Sequence, residues 1–199
     1  MKHVVAILSV GALATFGACS LAACAAEDVV IANIPADSDG GKPEPPAPCV
    51  KDDDCSVSQF CERSTCSDQV GHCRNKPPFC DSTSDTVCGC DGVTYWNDCL
   101  RESNGVSKDI DGICASGITC DDDGGAAPCG NAKASCGTLF FHQDQCGLDV
   151  HGLCWVLPDS CPTGAQTDWA SCGSPFCTDV CTAIRSGARY FRTDGNNCH

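Results

Sequence analysis

The chain has 199 residues with 22 cysteines and a formal net charge of −14 at pH 7. This acidity argues against nucleic-acid binding, because contacts to phosphate require clustered lysine and arginine. The cysteine content is typical of a disulfide scaffold and predicts an exported protein that folds in an oxidising compartment. Disulfides must then supply much of the stability, since few large apolar side chains are available for a core.

The N-terminal segment has the pattern of an export signal. Lys2 precedes an apolar stretch over residues 4–21, which is typical of a signal peptide, here predicted to span residues 1–23. Residues 21–24 read Leu-Ala-Ala-Cys and resemble the lipobox of bacterial lipoproteins. The resemblance implies a lipid on Cys24 that anchors the protein in a bacterial outer membrane or at the cell surface. Ordinary cleavage after Ala26, with free secretion, is the alternative.

A tether is predicted to follow the signal peptide. Residues 24–48 have no cysteine beyond Cys24 and end in a run rich in glycine and proline, so we expect a disordered Pro/Asp-rich segment. Of the 22 cysteines, Cys19 would leave with the signal and Cys24 would carry the lipid, which leaves 20 for ten disulfides.

The remainder of the chain contains a repeat. Cysteines of a first unit recur at offsets of 80 to 82 in a second unit, residues 115–199. The matched cysteines are Cys49/Cys129, Cys55/Cys136, Cys66/Cys146, Cys73/Cys154, Cys80/Cys161, Cys99/Cys181 and, at a slightly larger offset, Cys114/Cys198. We therefore predict a duplicated cysteine-rich architecture with ten cysteines in each unit.

One short helix is predicted in each unit. Asp98 can cap a helix over residues 99–104 that Gly105 ends, and a strand should follow. In the second unit, Thr178 can cap a helix over residues 179–186 that Gly187 ends, again before a strand.

Residues 73–114 contain a distinctive motif between closely spaced cysteines. Residues 88–99 read Cys-Gly-Cys-Asp-Gly-Val-Thr-Tyr-Trp-Asn-Asp-Cys and resemble the core signature of the Kazal-type serine protease inhibitor family. Seven residues separate Cys80 from Cys88, ten separate Cys88 from Cys99, and Cys114 ends a Gly-x-Cys motif, all as in the family. The resemblance, which extends to bacterial lipoproteins with a Cys-Gly-Cys-Asp-Gly variant, implies a small disulfide-rich α+β module with a short helix and a small antiparallel sheet.

The chain departs from the family pattern at one cysteine. The family's fifth cysteine is missing, and Cys90 occupies a position where serine is common. The resemblance implies the pairs Cys73–Cys90, Cys80–Cys99 and Cys88–Cys114, although six cysteines allow 15 arrangements and the sequence alone does not choose among them. Residues 49–72, which include Cys61 besides the matched cysteines, are interpreted as a cysteine-rich extension with two disulfides of its own.

The resemblance also implies an inhibitory loop that enters a protease as a substrate would. The loop residues are Asp81, Ser82, Thr83 and Ser84, with Ser82–Thr83 as the reactive bond. Asn97 matches the family's scaffold asparagine, whose side chain hydrogen-bonds the loop backbone, and Tyr95 is expected to support the loop beside it. Because Ser82 is small and neutral, an elastase- or subtilisin-like serine protease is the expected partner.

The second unit is interpreted as a degenerate repeat. Pro162, Thr163 and Gly164 would correspond to the loop, but residues 171–177 replace the core signature. Inhibition by this unit is therefore not expected.

The sequence also bears on two other classes of function, a binding module and an enzyme. Kazal-like folds also occur in follistatin-type proteins that do not inhibit proteases, so a non-inhibitory surface-binding module is the alternative. An enzyme is not expected, because Gly-x-Ser-x-Gly and Cys-x-x-Cys motifs are absent from the sequence. The histidines His72, His142 and His151 and the acidic runs 52–54 and 121–123 lack the spacing of zinc or calcium sites, so neither a metal nor another cofactor is predicted.

Overall fold

The computed structural model describes residues 45–121 and 129–193, which form a single unit. The predicted signal peptide, Cys24, residues 25–44 of the tether and Cys198 lie outside the described residues. Within the described part of the chain, the helices are too short and too polar to cross a membrane.

The first unit contains two groups of three strands and one helix. Strands β1 (Pro48–Cys49), β2 (Gln59–Glu62) and β3 (Gly71–Asn75) form an antiparallel sheet in the order β1-β3-β2. Strands β4 (Val87–Gly89), β5 (Thr94–Tyr95) and β6 (Lys108–Asp111) follow, with β4 in the centre, and helix α1 (Asp98–Ser103) comes between β5 and β6. A 3-10 turn at Asp52–Asp54 separates β1 from β2.

The second unit repeats this order of elements. Its elements are β7 (Thr119–Cys120), β8 (Ala134–Phe140), β9 (Gly152–Val156), β10 (Trp169–Ser171), β11 (Cys177–Thr178), helix α2 (Val180–Ser186) and β12 (Arg189–Arg192). Strand β9 lies between β7 and β8 as β3 lies between β1 and β2, and β10 lies between β11 and β12 as β4 lies between β5 and β6. The repeated topology supports the predicted duplication.

The two units share one sheet and one core. Strand β5 pairs in parallel with β9, with Thr94 opposite Trp155 and Tyr95 opposite Val156, so β4, β5 and β6 join all six strands of the second unit. The result is a mixed nine-stranded sheet instead of the small antiparallel sheet that the sequence predicted. The shared buried cluster consists of Val87, Val93, Tyr95, Cys120, Cys129, Cys154 and Val156.

Nine disulfides link described cysteines, and Cys177 is disulfide-bonded as well. The bonds that are equivalent in the two units are Cys49–Cys61 and Cys120–Cys136, Cys55–Cys73 and Cys129–Cys154, Cys66–Cys90 and Cys146–Cys172, and Cys80–Cys99 and Cys161–Cys181. The ninth bond is Cys88–Cys114. None of these nine bonds connects one unit to the other, so the shared sheet and core hold the units together.

The bonding pattern corrects the sequence alignment of the repeat at its start. Cys49 in β1 lies opposite a glycine of β3, and Cys120 in β7 lies opposite a glycine of β9. Cys49 therefore corresponds to Cys120, which makes Cys129 the counterpart of Cys55. The predicted matches Cys49/Cys129 and Cys55/Cys136 were wrong by one cysteine, because the connection that follows β8 is longer than the one that follows β2, so the offset of 80 found at Cys66/Cys146 does not hold for the cysteines before it.

The predicted pair Cys73–Cys90 was wrong, whereas Cys80–Cys99 and Cys88–Cys114 are present. Cys73 lies in β3, whose neighbours β1 and β2 both belong to residues 48–62, and it bonds to Cys55. Cys90 directly follows β4, and it forms a disulfide with Cys66 in the segment between β2 and β3. Residues 49–72 therefore do not contain two disulfides of their own, since two of their cysteines bond to cysteines of residues 73–114.

Both predicted helices are present, but α1 begins one residue earlier than expected and α2 begins one residue later. The N-caps are Asn97 and Asp179, whose side chains accept hydrogen bonds from Leu100 N and Thr182 N. Each cap residue has extended backbone dihedral angles, and its side-chain oxygen binds an amide that the first helical turn leaves without a partner. Asn97 consequently has two roles, because it also lies beside the predicted loop.

A buried ion network attaches α1 to the N-terminal sheet. The Arg101 side chain is 1% exposed, and its guanidinium contacts Asp98 Oδ1 at 2.7 Å and Glu62 Oε1 at 3.1 Å. It also lies 3.4 Å from Glu102 Oε1 and donates to Val106 O. Glu62 belongs to β2, so this network holds the helix that carries Cys99 and Asn97 against the first sheet.

Candidate functional site

The predicted loop is a short backbone segment that is anchored at both ends. Residues 81–86 connect Cys80 to β4, and Cys80 is bonded to Cys99 in α1. At the other end, Thr86 O accepts a hydrogen bond of 2.7 Å from Gly112 N. Most of the loop is exposed, but Ser82 is half-buried. The loop is therefore fixed by a disulfide at one end and by a backbone hydrogen bond at the other.

Asn97 holds the backbone on both sides of the Ser82–Thr83 bond. Its Nδ2 donates to Asp81 O at 3.0 Å and to Thr83 O at 2.9 Å, while its Oδ1 accepts from Leu100 N at 2.9 Å. Because the helix N-terminus requires an acceptor, the oxygen of the amide faces the helix and the NH2 group faces the loop. Asn97 is only 6% exposed. These contacts agree with the role that the resemblance implied for Asn97.

Trp96 binds the backbone carbonyl of Ser82, which lies between the carbonyls of Asp81 and Thr83. The indole Nε1 donates to Ser82 O at 2.9 Å, and the residue is 3% exposed. Its backbone carbonyl accepts from Asp85 N, and its backbone amide donates to Val156 O of the second unit, both at 3.0 Å. No contact between Trp96 and the loop was expected from the sequence, although the position of Trp96 beside Asn97 was an available signal. The loop is therefore coupled to the second unit through this tryptophan.

Tyr95 contributes to the site from the core. It pairs with Val87 at the start of β4, and its hydroxyl donates to Asp91 Oδ2 at 2.6 Å rather than to the loop. Burial, and then the hydrogen bond and charge of the Asp91 carboxylate, raise the pKa of Tyr95. Its expected support of the loop is thus indirect, through the strand into which the loop runs.

Asp81 forms a turn inside the loop. Its Oδ1 accepts a hydrogen bond of 3.0 Å from Thr83 N, which closes an Asx turn over Ser82. Part of the hydrogen-bonding capacity of this carboxylate is satisfied within the loop, which reduces the cost of bringing it close to a partner.

The second unit has a disulfide equivalent to the one that anchors the loop of the first unit. It lacks the amide clamp, by which we mean an asparagine NH2 group that binds the loop carbonyls. Cys161–Cys181 is equivalent to Cys80–Cys99, and Asp179 occupies the position of Asn97. Asp179 accepts from Thr182 N and from Thr182 Oγ1, but a carboxylate has no N–H group to donate to loop carbonyls. Residues 162–168, which include Pro162, Thr163 and Gly164, therefore lack the support that the first loop receives.

Within residues 45–121 and 129–193, cysteine sulfurs come close together in three places, but they do not offer metal ligands. The groups are Cys49, Cys55 and Cys73; Cys120, Cys129 and Cys154; and Cys161 and Cys181 with Asp179. All of these cysteines are disulfide-bonded, and a metal requires the thiolate. The groups consequently reflect neighbouring disulfides.

Fold and site together define a small disulfide-rich protein that presents a rigid, exposed loop. Its disulfides indicate an extracellular or otherwise oxidising environment. Comparisons of the chain with protein-family models, with curated proteins and with solved structures each give no match.

Proposed function

We propose that this protein is an exported inhibitor of a serine protease that acts through residues 81–84, with Ser82–Thr83 as the reactive bond. The observation that carries the proposal is the Asn97 amide, which holds the carbonyls of Asp81 and Thr83 on either side of that bond. A loop that is ordered before contact loses less conformational entropy on binding than a flexible one, which favours a high affinity. The Kazal-like spacing of Cys80, Cys88 and Cys99 supports the same conclusion.

The clamp explains how such a loop resists turnover. If the protease cleaved Ser82–Thr83, Asn97 would still hold Asp81 before the cut and Thr83 after it. Cys80–Cys99 and Cys88–Cys114 would keep both new ends attached to the same frame. The amine and the acyl group would remain side by side, which favours resynthesis of the bond over release.

The expected target accepts a small residue at the reactive bond. Ser82 has no charge for the acidic pocket of a trypsin-like enzyme, so elastase- and subtilisin-like proteases fit better. On this proposal the protein is not an enzyme and uses no cofactor. It is either anchored through a lipid on Cys24 or secreted, and the intact mass of the mature protein distinguishes the two.

A gain-of-affinity variant tests the assignment of the reactive bond. Replacing Ser82 by leucine should tighten inhibition of subtilisin and chymotrypsin by about 10- to 100-fold, because a leucine side chain gains about 1.5–3 kcal/mol when an apolar pocket buries it. Inhibition constants of the oxidised full-length protein provide the measurement. Ser82→Pro, which changes the backbone at the same position, should abolish inhibition. Unchanged inhibition with both variants would place the contact elsewhere.

A non-inhibitory binding module of the follistatin type is the second candidate, and the Trp96 contact favours it. A protease must accept the Ser82 carbonyl in its oxyanion hole, but the Trp96 indole N–H already donates a hydrogen bond to that oxygen. An inhibitor would have to break this hydrogen bond on binding, whereas a module that binds by another surface would not.

Replacing Trp96 by phenylalanine separates the two candidates. For an inhibitor, removing the indole N–H should tighten inhibition by about 3- to 10-fold, since a net hydrogen bond of about 0.5–1.5 kcal/mol no longer competes with the protease. For a binding module, neither the parent protein nor Trp96→Phe inhibits any enzyme of a panel of subtilisin, elastase, chymotrypsin and trypsin. Thermal melting of both proteins verifies that the smaller ring preserves the fold.

A further inference from the structure

Phe79 places an aromatic ring in water immediately before the candidate loop. The residue is 90% exposed and precedes Cys80, which is bonded to Cys99. Pro77 and Pro78 come directly before it, and proline restricts the backbone on the other side. The ring is therefore carried by a backbone with little conformational freedom, three residues before Ser82.

Phe79 and Cys80, which come directly before the loop, line a groove between the two units. The groove has a volume of about 580 Å³, and Leu157 and Pro158 of the second unit form part of its other wall, beside the charged residues Lys133, Asp159 and Arg185. Because the units share a sheet and a core, the two walls of the groove are held in a fixed relation. The groove therefore adjoins the start of the loop at Phe79 and Cys80.

We propose that Phe79, and not Ser82, is the main apolar anchor of the inhibitor, and that the groove extends the interface onto the second unit. The partner is a serine protease that accepts a small residue at the reactive bond and has an apolar pocket for the residue three positions further toward the N-terminus. This inference rests on the proposed inhibitory function and specifies its target. It also gives the second unit a role, although that unit lacks the amide clamp of the first.

The balance of apolar area favours Phe79 as the anchor. A serine side chain contributes almost no apolar surface, whereas a phenylalanine ring that passes from water into a pocket is among the largest single contributions that a side chain makes. Aromatic anchors with few rotatable bonds are typical of binding hot spots, and the prolines and the disulfide keep the ordering cost of this one low.

The test measures inhibition of subtilisin and elastase by the oxidised full-length protein and its variants. Phe79→Ala should weaken inhibition by about 10- to 100-fold, and Phe79→Leu, which keeps an apolar side chain, should recover most of the loss. Leu157→Asp, which places a charge in the second-unit wall of the groove, should weaken inhibition by about 10-fold. Phe141→Ala and Phe176→Ala, which remove similarly exposed rings outside the loop and groove, are the matched controls and should change inhibition by less than about twofold.

The possible failures are distinguishable. If Phe79→Ala inhibits as well as the parent protein while Ser82→Pro abolishes inhibition, the anchor is wrong and the inhibitory loop stands. If Leu157→Asp alone has no effect, the interface ends at the loop and the second unit has no part in it. If the parent protein inhibits no protease, both the proposed function and this inference are overturned.

Discussion

Replacing Asn97 by aspartate is expected to weaken protease inhibition by about 100-fold while helix α1 stays intact. The carboxylate can still accept from Leu100 N, as Asp179 accepts from Thr182 N at the same position of the second unit. It has no N–H group for Asp81 O and Thr83 O, and it faces these oxygens with a negative charge. Two lost hydrogen bonds of about 1 kcal/mol each, together with this repulsion, amount to about 100-fold.

The test compares Asn97→Asp with the parent protein in two measurements, the inhibition constant and the melting temperature. Asp179→Asn is the matched control, because it exchanges the same two side chains at the equivalent cap and should leave inhibition by the first loop unchanged. Asn97→Ala removes the helix cap and the clamp together, so it should also lower the melting temperature. An inhibition constant of Asn97→Asp within about threefold of the parent value would show that the clamp does not order the loop.

Replacing Arg101 by methionine is expected to lower the free energy of unfolding by about 3 kcal/mol. Arg101 is the buried cation of the network that joins α1 to β2, and its loss leaves Glu62, Glu102 and the carbonyl of Val106 without this partner. Removing one member of a buried ion pair costs about 3–5 kcal/mol because the opposite charge stays buried. Here the cost is at the low end, since Arg74 also contacts both glutamates.

Arg74 provides the matched control for this prediction. It contacts the same carboxylates, each at 2.7 Å, but its side chain is 55% exposed, so Arg74→Met should cost less than about 1 kcal/mol. Equilibrium unfolding in guanidinium chloride with the disulfides intact measures both variants. Equal losses for Arg74→Met and Arg101→Met would mean that burial of the cation does not set the strength of the network.

Several local features followed from the sequence. The family resemblance of residues 73–114 implied the pairs Cys80–Cys99 and Cys88–Cys114, and both are present. Gly105 and Gly187 end their helices with positive φ angles of 73° and 68°, as the pattern indicated. The resemblance also placed Asn97 beside the loop, and its side chain donates to Asp81 O and Thr83 O. The two disulfides of this segment join cysteines that are 19 and 26 positions apart.

Sequence by itself thus determined that this is a disulfide-rich duplicated protein with two short helices and a loop frame at Cys80. Tertiary structure alone decided the partners of Cys73 and Cys90 and the parallel pairing of β5 with β9. It also decided the hydrogen bond from the Trp96 indole to the Ser82 carbonyl. The physical reason is the same in each case. A cysteine, a strand edge or an indole N–H can bind any suitable partner, and only the packing of distant segments determines which one lies within reach.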